Sequence, residues 1–464
     1  MSRTLLQGGQ VVSMSPQRPD SERADVLVDG TRIVAVGEDL EPHGAEVVDL
    51  TGRVVIPGLI NAHLHTWQTS MRYLGADWTL PQYLAMAHGE IARHFRPGDI
   101  HIATLAGAVT QLAAGVTTIA DWSHNCVTSE HADAGVDALT RAGIRAVFLH
   151  GTPHGLRDRS HDVAEIDRLS AGLIATDPLL SLGMAIKGPQ QSRPEVVVAD
   201  LRAAADRGLL ASMHQSAGPP GPGWRAVTDA GLWSPSTNIV HGTGLPQDLV
   251  DTLVAAGATF TCTPENELGQ GHTTRLAERV IAAGSAPSLG TDTEMVTSGE
   301  VLIAARLLLA VQRGIQHDDA LTRTGLGAGE VALTAEDALS WATVEGARAL
   351  GLADRVGRIE AGMEADLVVV DARMLNLWPP HDAVASALNA NTANIEAVMV
   401  AGQWRKRDHE LVGVDLPTIK DELRRSGNEF ARRLRLPGTL DKVRRRVVRR
   451  VVDRQLSAQA AQRP

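Results

Sequence analysis

The strongest constraint on the fold is a repeated pattern in the middle of the chain, where a short apolar run is followed by a turn and a long Ala-rich segment. The pattern is clear in GVTTIADW, HADAGVDALTRAGI and RAVFLHG, and about eight such units fit between residues 59 and 355. Apolar runs of this length are typical of buried strands, and the segments between them have the length of helices. Alternating strands and helices predict a parallel sheet with helical crossovers, and eight units predict a (β/α)8 TIM-like barrel.

The two ends of the chain have a different pattern. Residues 1–58 consist of short predicted strands separated by turns, as in ADVLVDG and TRIVAVG, and residues 356–414 return to this pattern in EADLVVVDAR and IEAVMVAGQW. We therefore predict that these two segments form the halves of one small β-sandwich, with the barrel of residues 59–355 inserted between them. Residues 415–464 are predicted to form a basic helical tail, so the predicted fold class is α/β with a C-terminal helical extension.

Composition excludes several classes of protein. Hydrophobic residues make up 44% and charged residues 21% of the 464 positions, which is ordinary for a globular enzyme. No run reaches the roughly 18 consecutive apolar residues of a membrane span, and MSRTLLQGGQVVSM lacks the apolar region of a signal peptide, so we expect a cytoplasmic protein without membrane contact. Cys126 and Cys262 are too few for a disulfide framework, and we expect both to be reduced.

The net charge of -10 is unevenly distributed. Residues 424–464 hold thirteen basic and three acidic side chains, which leaves about -20 for the rest of the chain. No base-stacking aromatic residues accompany the basic stretch DKVRRRVVRRVVDRQ, so we expect no nucleic-acid partner. The tail is instead predicted to pack on the acidic body or on a neighbouring subunit.

Five residues of the types that bind metals lie at the ends of predicted barrel strands. His63 and His65 in NAHLHTW project from one face, because alternate strand residues point the same way. His214 follows LLASM, His241 follows TNIV, and Asp292 follows SAPSLGT. An H-x-H motif alone is equally typical of an ordinary polar strand end, but the carboxyl ends of barrel strands converge at one face. We therefore expect the five residues to meet around one divalent metal, with zinc expected and cobalt, iron or manganese also suited to such ligands.

Longer segments around these residues resemble the amidohydrolase superfamily, in particular its branch of triazine hydrolases and cytosine-type or guanine-type deaminases. The resemblance covers roughly residues 1–412 and rests on VIPGLINAHLHT, GADWTLPQYL, AAGVTTIADW, IVHGTGL, TPENELGQG, SLGTDT and GRIEAGMEADLVVVD. It implies that one metal is bound by His63, His65, His214 and Asp292. It further implies hydrolysis by a metal-activated water, with Asp292 moving the proton to the leaving nitrogen and His241 polarising the attacked group.

The sequence departs from this branch after its third ligand. Members usually carry His-x-x-Glu there, and the Glu protonates a ring nitrogen as an aromatic carbon is attacked, whereas this chain has HQSAG with Ala217 in that position. An acyclic carbonyl compound has no aromaticity to break. We therefore predict hydrolysis of a non-peptide carbon–nitrogen bond in a small apolar or aromatic amide, urea, carbamate or thiocarbamate. The alternatives are an aminohydrolase or chlorohydrolase of a purine, pyrimidine or s-triazine ring, and a non-catalytic member of the superfamily.

Several other residues are predicted to contact the small-molecule substrate or to tune the site. Trp67, Trp78 and Trp122 offer apolar walls with one donor each, although packing roles are equally typical. Glu265 and Asn266 in TPENELGQG are candidates for substrate binding, and Glu265 or Glu267 for the missing acid. His124, Asn125, His150 and His154 also follow predicted strands.

Two questions stay open in the sequence. Lys187 follows a predicted strand in GMAIKGP. Other amidohydrolases bridge two metals with a carboxylated lysine at such a place, whereas this branch is typically mononuclear, so a second metal stays an open question.

The oligomeric state is the second open question. Relatives commonly form dimers or tetramers, so we expect a homodimer or homotetramer.

Overall fold

A computed structural model of the chain describes residues 3–272 and 275–434. Two sheets organise it, a mixed sheet of nine strands and a parallel sheet of eight strands. The first half of the mixed sheet contains β1 (Arg3–Val11), β2 (Glu22–Asp29), β3 (Arg32–Gly37), β4 (Glu46–Asp49) and β5 (Arg53–Pro57). The parallel sheet contains β6 (Leu59–Leu64), β7 (Val116–Ser123), β8 (Arg145–Gly151), β9 (Leu180–Ala185), β10 (Leu210–His214), β11 (Thr237–Val240), β12 (Thr259–Cys262) and β13 (Ser288–Leu289). The mixed sheet is completed by β14 (Leu367–Asp371), β15 (Ile395–Val400), β16 (Gln403–Arg407) and β17 (Glu410–Leu411).

The mixed sheet joins the two ends of the chain. Its order is β17-β16-β15-β14-β5-β1-β2-β3, and β4 pairs with β1. Strand β1 changes its parallel partner from β4 to β5 near Gly8, whose φ of +76° belongs to the left-handed region that glycine adopts without strain. The antiparallel pairing of β5 with β14 links the N-terminal and C-terminal strands. Both ends therefore build one small sheet domain, as the predicted fold class requires, while the exact domain boundaries stay a prediction.

The parallel sheet runs in chain order from β6 to β13 and forms a nearly closed barrel. The two edge strands meet through main-chain hydrogen bonds just beyond their ends, because the N–H groups of Thr291 and Asp292 each donate to the carbonyl of His63 at 3.0 Å. The N–H of His65 donates to the carbonyl of Asp292 at 2.7 Å. Three of the predicted metal ligands therefore lie at the seam of the barrel.

Helices cover the barrel as the alternating pattern predicts. They are α1 (Leu80–Tyr83), α2 (Pro97–Ala113), α3 (Ser129–Ala142), α4 (Val163–Ala171), α5 (Leu173–Thr176), α6 (Gly188–Gln191), α7 (Pro194–Asp206), α8 (Pro222–Asp229), α9 (Gln247–Ala255), α10 (Pro264–Gln270), α11 (Leu276–Ala282), α12 (Val301–Thr324), α13 (Ala335–Trp341), α14 (Val344–Ala349), α15 (Ala383–Leu388) and α16 (Leu416–Leu434). After β6 the chain also forms 3-10 turns at Thr66–Met71 and Ala92–His94 and a π-helical segment at Leu84–Ile91. The α/β barrel fold class is confirmed.

Helix α2 shows how the sequence sets such boundaries. Pro97 occupies its first position, where a missing N–H costs nothing, and the carboxylate of Asp99 accepts from the N–H of Arg96 at 3.1 Å. The helix ends before Gly115, whose φ of +88° turns the chain into β7. Most of the residues between are buried, so α2 packs closely against the barrel.

The C-terminal extension begins as predicted with a helix, α16. The predicted basic tail continues beyond it, and residues 435–464 lie outside the described part of the chain. Within residues 3–272 and 275–434, no helix combines the length and apolar character needed to cross a membrane.

Candidate metal centre

The five predicted metal-site residues come together at the carboxyl end of the barrel. His63 lies in β6 and His65 directly after it, His214 ends β10, His241 follows β11, and Asp292 lies three residues beyond β13. All five are buried, although they come from distant parts of the sequence. The convergence follows from the barrel, since the ends of its parallel strands open at one face.

Their ligand atoms share a small space. Oδ1 of Asp292 lies 3.3 Å from Nε2 of His63 and 3.1 Å from Nε2 of His65. Nε2 of His214 lies 3.1 Å from Nε2 of His63, and Nε2 of His241 lies 4.0 Å from Oδ2 of Asp292. The donor atoms form two overlapping groups within 4.8 Å, one of His63, His65 and Asp292 and one of His63, His214 and His241, which share the imidazole of His63.

The protonation of the imidazoles suits metal binding. Burial lowers the pKa of His63 to about 3 and holds the pKa of His214 well below its usual range. Both rings are therefore neutral near pH 7 and carry a free lone pair. Nδ1 of His65 donates to the carbonyl of Trp122 at 2.7 Å, which leaves its Nε2 as the lone-pair nitrogen.

Asp292 supplies the negative charge of the cluster. Burial opposes its ionisation, but the neighbouring imidazoles of His63, His65 and His241 outweigh that effect and hold its pKa well below the usual range. Nδ2 of Asn266 donates to Oδ2 of the same carboxylate. Asp292 is therefore ionised, and its carboxylate has a fixed orientation.

A divalent metal fits this donor set. Two nitrogens bound to one tetrahedral zinc at the usual bond length lie about 3.3 Å apart. The facing Nε2 atoms of His63 and His214, both on neutral rings, have close to that separation at 3.1 Å. Nε2 of His65 and the carboxylate of Asp292 would complete a set of three imidazoles and one carboxylate, a combination that suits zinc and several other transition metals.

His241 is held by residues from the next strand and helix. Its Nδ1 lies 3.2 Å from Oε1 of Glu267 and 3.1 Å from Oγ1 of Thr263, and Glu267 also accepts from the N–H of Thr263 at 2.9 Å. A carboxylate on the far nitrogen of an imidazole fixes its tautomer and orientation. Glu267 therefore directs Nε2 of His241 toward the centre.

The centre opens into a narrow pocket. It is lined by His65, Leu80, Tyr83, Leu84, His88, Trp122, His124, Thr152, His154, Lys187, Gln191, His214, Ser216, His241, Gln270, His272 and Asp292. His88, His124, Thr152 and His154 also line an adjoining cavity of about 640 Å³, which we call the side cavity. Its other polar lining residues include Asn125, Thr128, His150, Arg159, Ser160 and Glu165. The narrow pocket and the side cavity therefore share part of one wall, and the lining of the side cavity is mixed in polarity.

Only one of the three tryptophans that are predicted to contact the substrate lines the pocket. Trp122 lines the pocket, with its ring 4.2 Å from that of His214 and its Nε1 donating to Oγ of Ser212 at 3.1 Å. Trp67 is fully buried in a second layer, and the half-buried Trp78 packs on the same apolar cluster. Neither Trp67 nor Trp78 is among the described residues that line the pocket.

The structure places Glu265 and Glu267, the two predicted acids, in different surroundings. Glu265 bonds to Ser298, with its Oε2 accepting from Oγ at 2.9 Å, and it does not line the pocket among the described residues. Glu267 instead contacts Nδ1 of His241. Ala217 is exposed, and its carbonyl accepts from Gln190. Asp292 is thus the only carboxylate among the described lining residues.

Lys187 lines the pocket from the end of the β9 unit. Its Nζ donates to the carbonyls of Leu156 and Arg159. The lysine therefore holds the loop after β8, and the idea that it bridges a second metal stays a sequence-based hypothesis.

Sequence reasoning missed nine residues that line the pocket, namely Leu80, Tyr83, Leu84, His88, Thr152, Gln191, Ser216, Gln270 and His272. His88 lies in the π-helical segment, and its Nε2 is 3.2 Å from Nε2 of His124 and from the hydroxyl of Tyr83. The ring of His272 lies 4.7 Å from that of His241. No strand end marks His88 or His272, although His272 closely follows the quoted TPENELGQG segment.

Comparison with known proteins defines the class to which this fold and site belong. The amidohydrolase family model matches residues 54–405, so the chain belongs to the amidohydrolase family and the resemblance seen in the sequence is confirmed. Family membership makes it a metal-dependent hydrolase of the class that acts on non-peptide carbon–nitrogen bonds.

Three individual proteins illustrate the similarity. The chain is 26% identical over 422 residues to a 5-methylthioadenosine/S-adenosylhomocysteine deaminase of Symbiobacterium thermophilum, covering 87% of this chain and 93% of the relative. A solved triazine hydrolase from Arthrobacter aurescens has a TM-score of 0.80 at 23% identity and covers 92% of this chain and 100% of its own. An adenosine deaminase from Xanthomonas campestris, solved with bound zinc, has a TM-score of 0.79 at 21% identity, with 93% and 99% covered.

Proposed function

We propose that this protein is a zinc-dependent aminohydrolase that removes an exocyclic amino group from a purine-type ring. Two kinds of support favour this function. Several curated relatives that align over 80% or more of the chain are deaminases of adenine-containing compounds. The observation that carries the proposal is the five-residue centre, whose narrow pocket shares four lining residues with the side cavity. The relatives thus favour the ring aminohydrolase, the sequence-based alternative, over the acyclic carbonyl substrates that we ranked first.

The residues of the centre have distinct chemical roles in this proposal. A bound divalent metal supplies a Lewis acid and lowers the pKa of water from 15.7 to about 7. Asp292 is ionised, so one of its oxygens can accept the proton of the attacking water and return it to the leaving nitrogen. Nε2 of His241, directed by Glu267, faces the same space and orients the attacked carbon–nitrogen group.

The side cavity explains how a substrate larger than the ring would bind. The reacting amino group must reach the centre, where Trp122 provides an aromatic wall. The rest of the substrate would extend past His88, His124 and His154 into the cavity of about 640 Å³. Its side-chain amides, hydroxyls and charged groups suit a polar substituent such as a sugar.

The alanine at position 217 favours a second candidate function, the hydrolysis of an acyclic carbon–nitrogen bond. Because Asp292 is the only carboxylate among the described residues that line the narrow pocket, no second acid lies beside the centre to protonate a ring nitrogen. An amide, urea, carbamate or thiocarbamate does not need that proton, and its departing amine can be protonated by Asp292 alone. Hydrolysis of such an acyclic bond is therefore the alternative to test beside deamination.

Product analysis separates the two candidates. Purified, zinc-loaded protein would be incubated with 5-methylthioadenosine, S-adenosylhomocysteine, adenosine, an aryl urea and a thiocarbamate, and products would be identified by mass spectrometry. Ammonia release with conversion of the purine amine to a carbonyl is the expected result. Amine release from only the acyclic compounds would establish the second candidate and overturn the first. The Asp292→Asn variant controls for contaminating activity.

A further inference from the structure

The C-terminal helix α16 docks on the segment that follows the metal ligand His65. Helix α16 contacts α2, the 3-10 turn Thr66–Met71 and the π-helical segment Leu84–Ile91. Oγ of Ser426 donates to Oδ1 of Asp99 at 2.9 Å, and Gly427 lies so close to the turn that a Cβ there would collide with the carbonyl oxygen of Ser70. The helix therefore approaches the metal-ligand segment backbone to backbone.

A chain of aromatic rings leads from α16 to the pocket wall. Phe430 is 1% exposed and stacks on Phe95 with ring centroids 4.1 Å apart and planes 13° apart. Phe95 meets the buried Trp67 at 5.0 Å. The ring of Trp67 in turn lies 5.8 Å from that of His88 and 5.4 Å from that of His124. Two histidines that line the pocket thus rest on rings held in place by Phe430.

The docking depends on few side chains. Ser426 and Phe430 are the only buried residues of α16, the partly buried Leu434 packs on the same cluster as Phe430, and most of the other residues are charged or polar. In a packed interior, loss of one large ring removes contacts that the neighbours cannot recover without moving. A single truncation at Phe430 should therefore loosen the contact without affecting the barrel core.

We propose that α16 supports the substrate pocket from behind, with Phe430 and Gly427 as positioning residues that hold the wall carrying His88. They touch neither the metal ligands nor the substrate and act through Phe95 and Trp67. The effect on substrate binding rests on the proposed function, whereas the effect on the wall itself does not.

Hydrogen–deuterium exchange tests the positioning without any substrate. We would compare the unaltered protein with Phe430→Ala, the milder Phe430→Leu, and the control Asn428→Ala, whose side chain is exposed on the same helix. In Phe430→Ala, exchange in residues 84–95 should rise about tenfold while β7 and β10 stay protected, with a smaller rise in Phe430→Leu and none in the control. An equal rise throughout the protein, or no rise in residues 84–95, would overturn the proposal.

Kinetics provide the second readout. With 5-methylthioadenosine as the probe, Phe430→Ala should raise KM about tenfold with kcat within about twofold and zinc content unchanged, because the wall binds substrate but performs no chemistry. A fall in kcat together with zinc loss would show general damage and contradict the proposal. If the unaltered protein does not turn over this probe, the proposed function fails on that substrate, and hydrogen exchange alone decides the role of α16.

Discussion

Two residues of the metal centre adopt a backbone conformation that is uncommon outside glycine. His241 has φ of +65° and Asp292 has φ of +60°. The N–H of His241 donates to the carbonyl of Thr261, and that of Asp292 donates to the carbonyl of His63, both at 3.0 Å. Such residues cost roughly 1–3 kcal/mol each and persist only where the surroundings enforce them. Neighbouring strands therefore orient both side chains toward the centre, at a cost in local strain.

The carboxylate of Asp292 is predicted to be indispensable for turnover. Asp292→Asn keeps the size of the side chain but removes the proton acceptor, so kcat should fall by at least about a thousandfold, near the upper range for general base catalysis. Ammonia release measured at equal zinc content would test this. Activity within tenfold of the unaltered protein would rule out the proton-transfer role.

Glu267 is predicted to support turnover by orienting the imidazole of His241. Glu267→Gln weakens the charge-assisted hydrogen bond to Nδ1, so kcat/KM should fall about 10–100-fold. The comparison variant is Glu265→Gln, because Glu265 bonds to Ser298 away from the pocket, and its kcat/KM should stay within about twofold. The reverse ranking of the two variants would support the sequence-based role of Glu265 in substrate binding.

The five candidate metal-site residues could be proposed from the sequence because each lies at a predicted strand end, and the structure brings them together. The role of Glu267 could not be read in this way, since it depends on α10 bringing the carboxylate beside an imidazole 26 residues earlier in the chain. Trp67 illustrates the opposite problem. Its position beside the H-x-H motif suggests a pocket wall, but the 3-10 turn directs the ring into the layer behind it.

At the scale of elements, the seam between β6 and β13 depends on Gly290. A Cβ at this position would lie 2.7 Å from both the Cβ and the carbonyl oxygen of His63, much closer than van der Waals contact allows. Only glycine lets the two strands approach so closely. The seam therefore couples closure of the barrel to the placement of a metal ligand.

Gly290→Ala is accordingly predicted to displace His63 and reduce zinc occupancy at least about tenfold at limiting metal, since ligand placement sets affinity. Gly269→Ala in α10 is the matched control, because a Cβ there would meet nothing within 4 Å. Zinc would be measured by mass spectrometry after dialysis against a competing chelator. Equal zinc retention in both variants would contradict the dependence on close approach.

The alternation of strands and helices could be predicted because periodicity is a local property of the sequence. The segment between β6 and α2 could not, since its 3-10 turns and π-helical turn are set by packing against α2 and α16. That segment carries His88 and Tyr83. Four of the nine missed pocket residues, Leu80, Tyr83, Leu84 and His88, therefore lie where tertiary contacts decide the backbone.

At the scale of the whole molecule, buried cations join the small sheet to the barrel. Arg145 of β8 pairs with Asp366 at 2.9 Å and Glu364 at 2.8 Å, next to β14. Nζ of Lys406 in β16 donates to the carbonyl of Ala113 at the end of α2, at 2.9 Å. These contacts fix the small sheet against the outside of the barrel.

Lys406 predicts a dependence of stability on pH. Burial lowers its pKa from 10.5 to about 8, so the folded protein holds this proton less tightly than the unfolded chain. Burial of the charged ammonium therefore lowers the free energy of unfolding. This loss of stability is fully present below pH 8 and disappears as pH rises toward 10.5. Between about pH 7 and about pH 10, the free energy of unfolding should rise by up to about 3 kcal/mol relative to Lys406→Met. Urea unfolding at both pH values tests this, and parallel pH profiles would show that burial of the ammonium costs nothing.

The central claim is that one metal ion held by His63, His65, His214 and Asp292 makes the chain an enzyme. The most direct measurement is a zinc titration of the chelated protein, with bound metal and ammonia release from 5-methylthioadenosine followed together. Turnover should rise in proportion to zinc and saturate at one ion per chain, and His214→Ala should show neither tight binding nor turnover. Turnover that survives complete metal removal, or that requires a second ion per chain, would contradict the account.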